Sequence, residues 1–235
     1  MPAGGSKLWG WVLWAAVLCL PAGCATQPFT QPPPSRPAPT AWYLFYLHGY
    51  ILEGRGLRTR HPAYGQYDLT AVVKAFEKRG FTVITHVRPA QVDPPAYART
   101  MAPEVRALLS AGVPADHIAV VGFSKGGVIA QYLAAELAQP EMKFVILAGC
   151  PSRESDFRAG YNLLLERAAA RMRGRFLSVY DAADQIAASC QEGLTRAGVS
   201  RRSQEVVLHV GSGHGLFYRP APAWLDPVTR WIKEK

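Results

Sequence analysis

The sequence predicts a three-layer α/β sandwich, a mostly parallel six-stranded sheet covered by helices on both faces. Three observations predict it. From Ala41 onward, short apolar runs alternate with amphipathic segments. The apolar runs lack polar alternation, as do strands of a parallel sheet buried on both faces. One run, ending at Phe123, passes through a glycine-flanked serine into an Ala-rich segment, a strand–turn–helix junction.

The elements follow in order. Trp42 to Leu47 is aromatic-rich and reads as a strand. Tyr67 to Arg79 sets Leu69, Val72, Val73 and Phe76 at helical spacing, and Gly80 stops it. Phe81 to Val87 is a β-branched strand ended by Pro89. Tyr97 to Ser110 is helical with Pro103 inside it. Ile118 to Phe123 is a strand, Gly127 to Ala138 a helix stopped before Pro140, and Lys143 to Ala148 the next strand. Asp156 to Met172 carries Phe157, Tyr161, Leu164, Leu165 and Ala168 on one helical face. Phe176 to Tyr180 is a strand, Ile186 to Arg196 a helix, and Glu205 to Val210 the last strand. Trp224 to Lys235 closes the chain as a helix with Trp224, Val228, Trp231 and Ile232 inward.

Ligands on such open sheets bind beyond the carboxyl ends of the strands, so the residues after each strand carry the chemistry. His48-Gly49-Tyr50, not a glycine-rich phosphate loop, follows the first strand, which argues against a nucleotide-binding fold. Gly122-Phe123-Ser124-Lys125-Gly126 is a G-x-S-x-G turn between strand and helix. Such a turn lifts the serine above the sheet, and its glycines make room for neighbouring backbone. The helix behind it favours developing negative charge. Ser124 needs a base, and His214 lies in the glycine-rich loop Gly211 to Gly215 after the last strand. His214 needs an orienting acid. Asp181 and Asp184 both follow the strand ending at Tyr180; Asp184 is preferred because the chain has by then cleared the sheet edge, while Asp181 suits bonding to loop amides.

The order Ser124, Asp184, His214, each after its own strand, resembles the α/β-hydrolase superfamily. The elbow Gly-Phe-Ser-Lys-Gly-Gly is especially similar to that of small carboxylesterases and acyl-protein thioesterases. The resemblance implies that the His48-Gly49 motif supplies an oxyanion-hole donor from the backbone N–H of Tyr50, paired with that of Lys125. It also implies an α/β-hydrolase fold lacking its first two strands, because a Pro-rich segment runs straight into the strand before His48. The short stretch between Ala148 and Phe176 holds one crossover helix and no large cap. Tyr50, Tyr64, Tyr161, Phe217 and Tyr218 are candidates to line an acyl cleft, whereas Glu53 and His61 read as solvated loop residues.

The N-terminus reads as an export signal over residues 1–23. Lys7 is its only charge, and Leu8 to Leu20 is a near-continuous apolar run. Pro21-Ala22-Gly23-Cys24 is similar to a bacterial lipobox, which implies a lipid anchor on Cys24 and a place in the cell envelope, at the outer membrane or its periplasmic face. Cleavage after Ala25 is the competing reading. Residues 24–40 are Pro-rich and read as a stiff spacer before a domain over 41–235. Of the four cysteines, Cys150 and Cys190 remain to the exported domain, where an oxidising compartment allows a disulfide between them.

Composition excludes other classes. Of the 235 residues, 49% are hydrophobic and 18% charged, which excludes a wholly disordered chain. The net charge of +9 is dispersed, with small groups at Arg171, Arg173 and Arg175 and at Arg201 and Arg202. These form no basic stripe interleaved with aromatics, so nucleic acid is not the expected partner. The six histidines show no metal-ligand spacing, and no metal or cofactor is expected. The sequence thus points to a serine hydrolase acting on a small-molecule ester or thioester. An acyltransferase or a serine peptidase would share the triad, and a catalytically silent hydrolase-fold binding protein is the reading from another class.

Overall fold

The computed structural model describes Met1 and residues 29–57 and 59–234. Residues 2–28, on which the expected export signal and the expected lipid site Cys24 fall, lie outside the described residues. Nine strands and six α-helices are present among those described: β1 (Thr30–Gln31), β2 (Trp42–Leu47), β3 (Arg60–His61), β4 (Gly65–Gln66), α1 (Leu69–Glu77), β5 (Phe81–His86), α2 (Pro94–Ser110), β6 (Ile118–Phe123), α3 (Lys125–Leu137), β7 (Lys143–Leu147), α4 (Arg158–Arg167), β8 (Arg175–Asp181), α5 (Gln191–Arg196), β9 (Ser203–Leu208) and α6 (Pro222–Lys233).

The main sheet runs β1-β5-β2-β6-β7-β8-β9. All neighbours pair in parallel except β1, which lies antiparallel to β5. The three-layer parallel architecture is the expected one, but the sheet has seven strands rather than six. The extra strand comes from the Pro-rich stretch, which is therefore no bare spacer over its whole length: Thr30 pairs with His86 and Gln31 with Thr85. Two polar residues among prolines carry no alternation to read, and an edge is where such a sequence is tolerated in a sheet.

Alternation along the strands divides the core. Tyr43, Phe45 and Leu47 of β2 pack on one face with Ile118 and Val120 of β6 and with α2, α3 and α4. Leu44 and Tyr46 pack on the other with Val121, α1 and α6. Helix α1 starts where the Asp68 carboxylate accepts from the Ala71 N–H, and α2 where Asp93 does the same for Ala96. Helix α2 begins earlier than the apolar pattern predicts because Pro94 and Pro95 fit its first turn. Helix α5 is shorter than predicted, since 186–190 form a loop.

That loop carries a cross-link. Cys150, just beyond β7, is bonded to Cys190, at the end of the loop from β8 to α5, with 5.3 Å between Cα atoms. Because β7 and β8 are neighbours, their exit loops lie side by side, and Ala188 N–H bonds to Cys150 C=O at 2.8 Å. The bridge spans 40 residues of sequence. Replacing both cysteines by serine is expected to cost about 3–4 kcal/mol in the chain-entropy description, read from urea unfolding of the non-reduced protein. An unchanged midpoint would mean that the bridge constrains nothing.

Candidate active site

Three strand ends converge on one point. Ser124 follows β6 with φ 53° and ψ −121°, a strained backbone for a residue with a side chain. The glycines beside it are demanded by contact. A Cβ on Gly122 would stand 2.2 Å from the Gly126 carbonyl oxygen, and one on Gly126 would stand 1.9 Å from that of Leu47. The turn can therefore close only with α3 pressed against the end of β2.

His214 sits in a 3-10 turn, Gly213–Tyr218, after β9. Its Nε2 lies 2.9 Å from Ser124 Oγ, and its Nδ1 lies 2.8 Å from Asp184 Oδ2. A carboxylate can only accept, so Nδ1 carries the proton and Nε2 is left to accept the serine O–H. Asp184 is fully buried at its side chain, and its other oxygen accepts from the Ile186 and Ala187 N–H groups at 2.8 and 3.0 Å. Those two bonds fix the carboxylate plane that fixes the imidazole.

Asp181 takes the other part. It does not meet His214; its carboxylate accepts from the N–H groups of Ala183, Gly211, Ser212 and Gly213. Burial pushes its pKa up, but these four donors outweigh burial and hold it below the ordinary aspartate value of 3.8. Asp181 thus pins the glycine-rich loop that presents His214.

The His48-Gly49-Tyr50 segment passes behind the elbow. His48 is buried, its Nε2 accepts from the Arg88 N–H at 2.9 Å, and its Nδ1 donates to Gly49 C=O at 2.8 Å. Burial holds its pKa well below the ordinary imidazole range, so the ring is neutral and structural. A Cβ on Gly49 would meet the Phe123 ring at 2.9 Å and Ser124 Cβ at 3.5 Å, which brings this loop against the nucleophile turn. The Tyr50 and Lys125 amides each begin a helical turn, Tyr50–Leu52 and α3, where N–H groups have no partner within the helix.

Glu53 is the main correction to the sequence reading. It is no solvated loop residue: its side chain is fully buried, accepting from Arg88 Nε at 3.0 Å and Lys125 Nζ at 2.8 Å. Arg88 also donates from Nη2 to His48 C=O, while its buried Nη1 has no partner among the described residues. Lys125 reaches Glu53 across the Tyr50 ring, 5.3 Å from its centre. One carboxylate therefore joins the residue after Ser124 to the loop bearing Tyr50. A glutamate directly after the Tyr50–Leu52 turn gives no sequence signal of burial; the cations that neutralise it, Arg88 and Lys125, are distant in the chain.

The cleft beside Ser124 has a volume of about 720 Å³. Of the five aromatic candidates, Tyr50 and Tyr161 line it. Phe217 does not: it is buried against Phe123 and Trp224. Tyr64 and Tyr218 pack together on the other side of His214, where Tyr64 stacks on His61 from the small β3–β4 hairpin. Among the described residues no cluster of His, Cys, Asp and Glu has the form of a metal site, and no helix is long and apolar enough to cross a membrane.

Residues 86–169, from the end of β5 through the elbow to α4, match a protein-family model described as phospholipase/carboxylesterase. No curated protein matches the chain in sequence. Among solved structures, a lipase-esterase related protein from Clostridium acetobutylicum is similar at a TM-score of 0.53 and 12% identity, over 88% of this chain and 98% of that one. Esterase PE8 is similar at 0.55 and 18% identity, over 87% and 98%. An α/β hydrolase from a Medee basin deep-sea metagenome, MGS-M1, is similar at 0.52 and 14%, over 82% and 83%. At such identities the likeness is one of fold.

The two buried acids on either side of the site, Asp181 and Glu53, are each expected to affect stability when neutralised. Asp181→Asn should lower thermal stability, because an amide NH₂ cannot accept where two of the four donors now converge. The carboxylate's contribution is present above the ordinary aspartate value of 3.8 and is lost as pH falls through the depressed value in the folded chain. The stability gap between wild type and Asp181→Asn should therefore narrow in acid, as thermal melts across pH would read; a gap that stays constant or widens would contradict the loop-pinning role. Glu53→Gln should be more costly, about 3–5 kcal/mol, because it leaves Arg88 buried without its counter-charge; denaturant unfolding measures it.

Proposed function

We propose that this chain, an α/β hydrolase, is a serine hydrolase that cleaves carboxylic esters or thioesters through Ser124, His214 and Asp184. The observation that carries the reading is the unbroken hydrogen-bond chain Ser124 Oγ–His214 Nε2 and His214 Nδ1–Asp184. In the proposed reaction, Ser124 Oγ attacks the substrate carbonyl carbon as its proton passes to His214 Nε2. The carbonyl oxygen takes up the negative charge, held by the backbone N–H groups of Tyr50 and Lys125. In other hydrolases one such donor is worth about 3 kcal/mol. Collapse breaks the bond to the alcohol or thiol, which leaves with the proton from His214. Water, giving a proton to the same nitrogen, then releases the acid and restores Ser124. Asp184 stays ionised and stabilises the imidazolium formed in each half.

The strained backbone at Ser124 supports an enzyme over a silent binding module. Holding a side chain at φ 53° costs stability, of order 1–3 kcal/mol, and a module that only binds has no use for it. The family-model match and the esterase among the structural neighbours support the same chemistry.

We also propose that the chain is exported and lipid-anchored at Cys24. The apolar run Leu8 to Leu20 followed by Ala-Gly-Cys supports this, and a Cys150–Cys190 bridge suits an oxidising compartment.

A fluorophosphonate probe should label the folded protein at neutral pH, and Ser124→Ala should abolish labelling. Asp184→Asn should lower turnover of p-nitrophenyl esters about ten-thousand-fold with the fold retained. A folded wild type that neither takes the probe nor turns over esters or thioesters would sink the proposal. Intact mass of the chain purified from a bacterial membrane fraction tests the anchor: a diacylglyceryl increment on an N-terminal Cys24 supports it, and an unlipidated start at Thr26 excludes it.

A further inference from the structure

The cleft at Ser124 is a groove with a direction. Its floor is one face of α3: Lys125, Val128, Tyr132 and Glu136 all line it. These positions recur at three- and four-residue steps, so they follow one another along the helix. At 1.5 Å per residue the floor runs about 16 Å away from the nucleophile. The start of α2 makes one wall and α4 the other.

Both walls carry apolar side chains: Pro94, Pro95 and Ala98 on one side, Phe157 and Leu163 on the other. Phe157 is 64% exposed and Leu163 43%, large apolar surfaces left bare beside a serine that has a base. The same groove is also lined by cations. Arg99 projects from α2, Arg167 from the last turn of α4, and Arg171 from the turn that follows. None of the three has a carboxylate partner among the described residues. The two acids that also line the groove are engaged: Glu136 pairs with Arg106 at 3.3 Å, and Asp93 caps α2. The Lys125 ammonium, nearest the nucleophile, is taken by Glu53. Along α4 and the turn after it the lining thus passes from apolar side chains to cations without a carboxylate partner, with Arg99 on the α2 side.

We infer that this groove takes an acyl chain that ends in an anionic group, an inference that rests on the ester-cleaving reading above. The scissile carbonyl lies at Ser124, the chain covers Phe157, Leu163 and Val128, and its charged end meets Arg99, Arg167 and Arg171. Burying bare apolar surface favours a chain over a small acyl group. Guanidinium groups without a carboxylate partner favour a carboxylate or phosphate at its end, although Arg171 also donates from Nη1 to the Arg167 C=O at 2.7 Å. Because the arginines are exposed, their pull is modest singly and screened by salt, and it acts in sum.

The test uses the full chain and two chromogenic esters. One is the mono-p-nitrophenyl ester of a medium-chain α,ω-dicarboxylic acid; the other is the p-nitrophenyl ester of the monocarboxylic acid of equal length. The expected result is a kcat/KM ratio favouring the anionic tail, by about tenfold at low ionic strength, from several weak contacts each worth a few-fold. The ratio should fall toward unity with added salt. It should invert in the combined Arg99→Glu, Arg167→Glu, Arg171→Glu variant and shrink in the single Arg167→Gln and Arg171→Gln variants, which keep the measurement open if the combined variant folds poorly. Calorimetric titration of Ser124→Ala with the monomethyl esters of the same two acids reads the groove without turnover. Tighter binding of the anionic tail with no hydrolysis by wild type would keep the groove assignment and remove the hydrolase reading. Equal or better use and binding of the neutral tail, insensitive to salt and to the arginine variants, would overturn the groove assignment alone.

Discussion

The site depends on one close approach. Gly126, in the first turn of α3, is pressed so tightly on the last residue of β2 that any side chain there would overlap the Leu47 carbonyl. This contact lets a strand turn directly into a helix, and it lifts Ser124 out of the sheet at the cost of a left-handed φ. It also brings two segments distant in sequence, the exit of β2 and the start of α3, side by side, and these are the segments that carry the Tyr50 and Lys125 amides. Interiors packed to crystal-like density do not absorb an extra methyl group where backbone already touches backbone. The same contact therefore fixes the nucleophile and the amides beside it.

Charge completes what packing begins. A buried carboxylate with two cations is costly to desolvate, and such a group is weak evidence for stability by itself. Glu53 nevertheless occupies the junction between the loop after β2, the Arg88 side chain after β5 and the side chain that follows the nucleophile. Asp181 does the same on the far side, where four backbone N–H groups converge on one side chain to shape the loop of His214. Each half of the site is thus tied down by one acid that never meets the serine.

Much of this was legible in the sequence because it is local. The elbow declares itself through Gly122 and Gly126, the base through a histidine among glycines, and the sheet through strands apolar on both faces. Asp184 could be preferred over Asp181 because three residues of extra reach matter after a strand end. What stayed hidden is non-local. Glu53 reads as a polar loop residue until Arg88 and Lys125 are seen on either side of it. β1 is two polar residues whose only claim to be a strand is the edge of β5 they meet. The β3–β4 hairpin is equally short, and Tyr64, which it presents, packs so closely on Gly215 that a Cβ there would stand 2.7 Å from it. The arginines of the groove are scattered over two helices and a turn, so no window of sequence contains them together.

The polarity of β1 has a geometric consequence. Because β1 is antiparallel to β5, Thr30 lies opposite His86 at the carboxyl end of that strand, and Val87 N–H bonds to Phe29 C=O at 3.0 Å. The polypeptide thus enters the domain at the rim on which Ser124, Asp184 and His214 stand, not at the opposite rim. Phe29 and Thr30 thereby extend the sheet by one strand at the level of the strand exits, on the edge of β5.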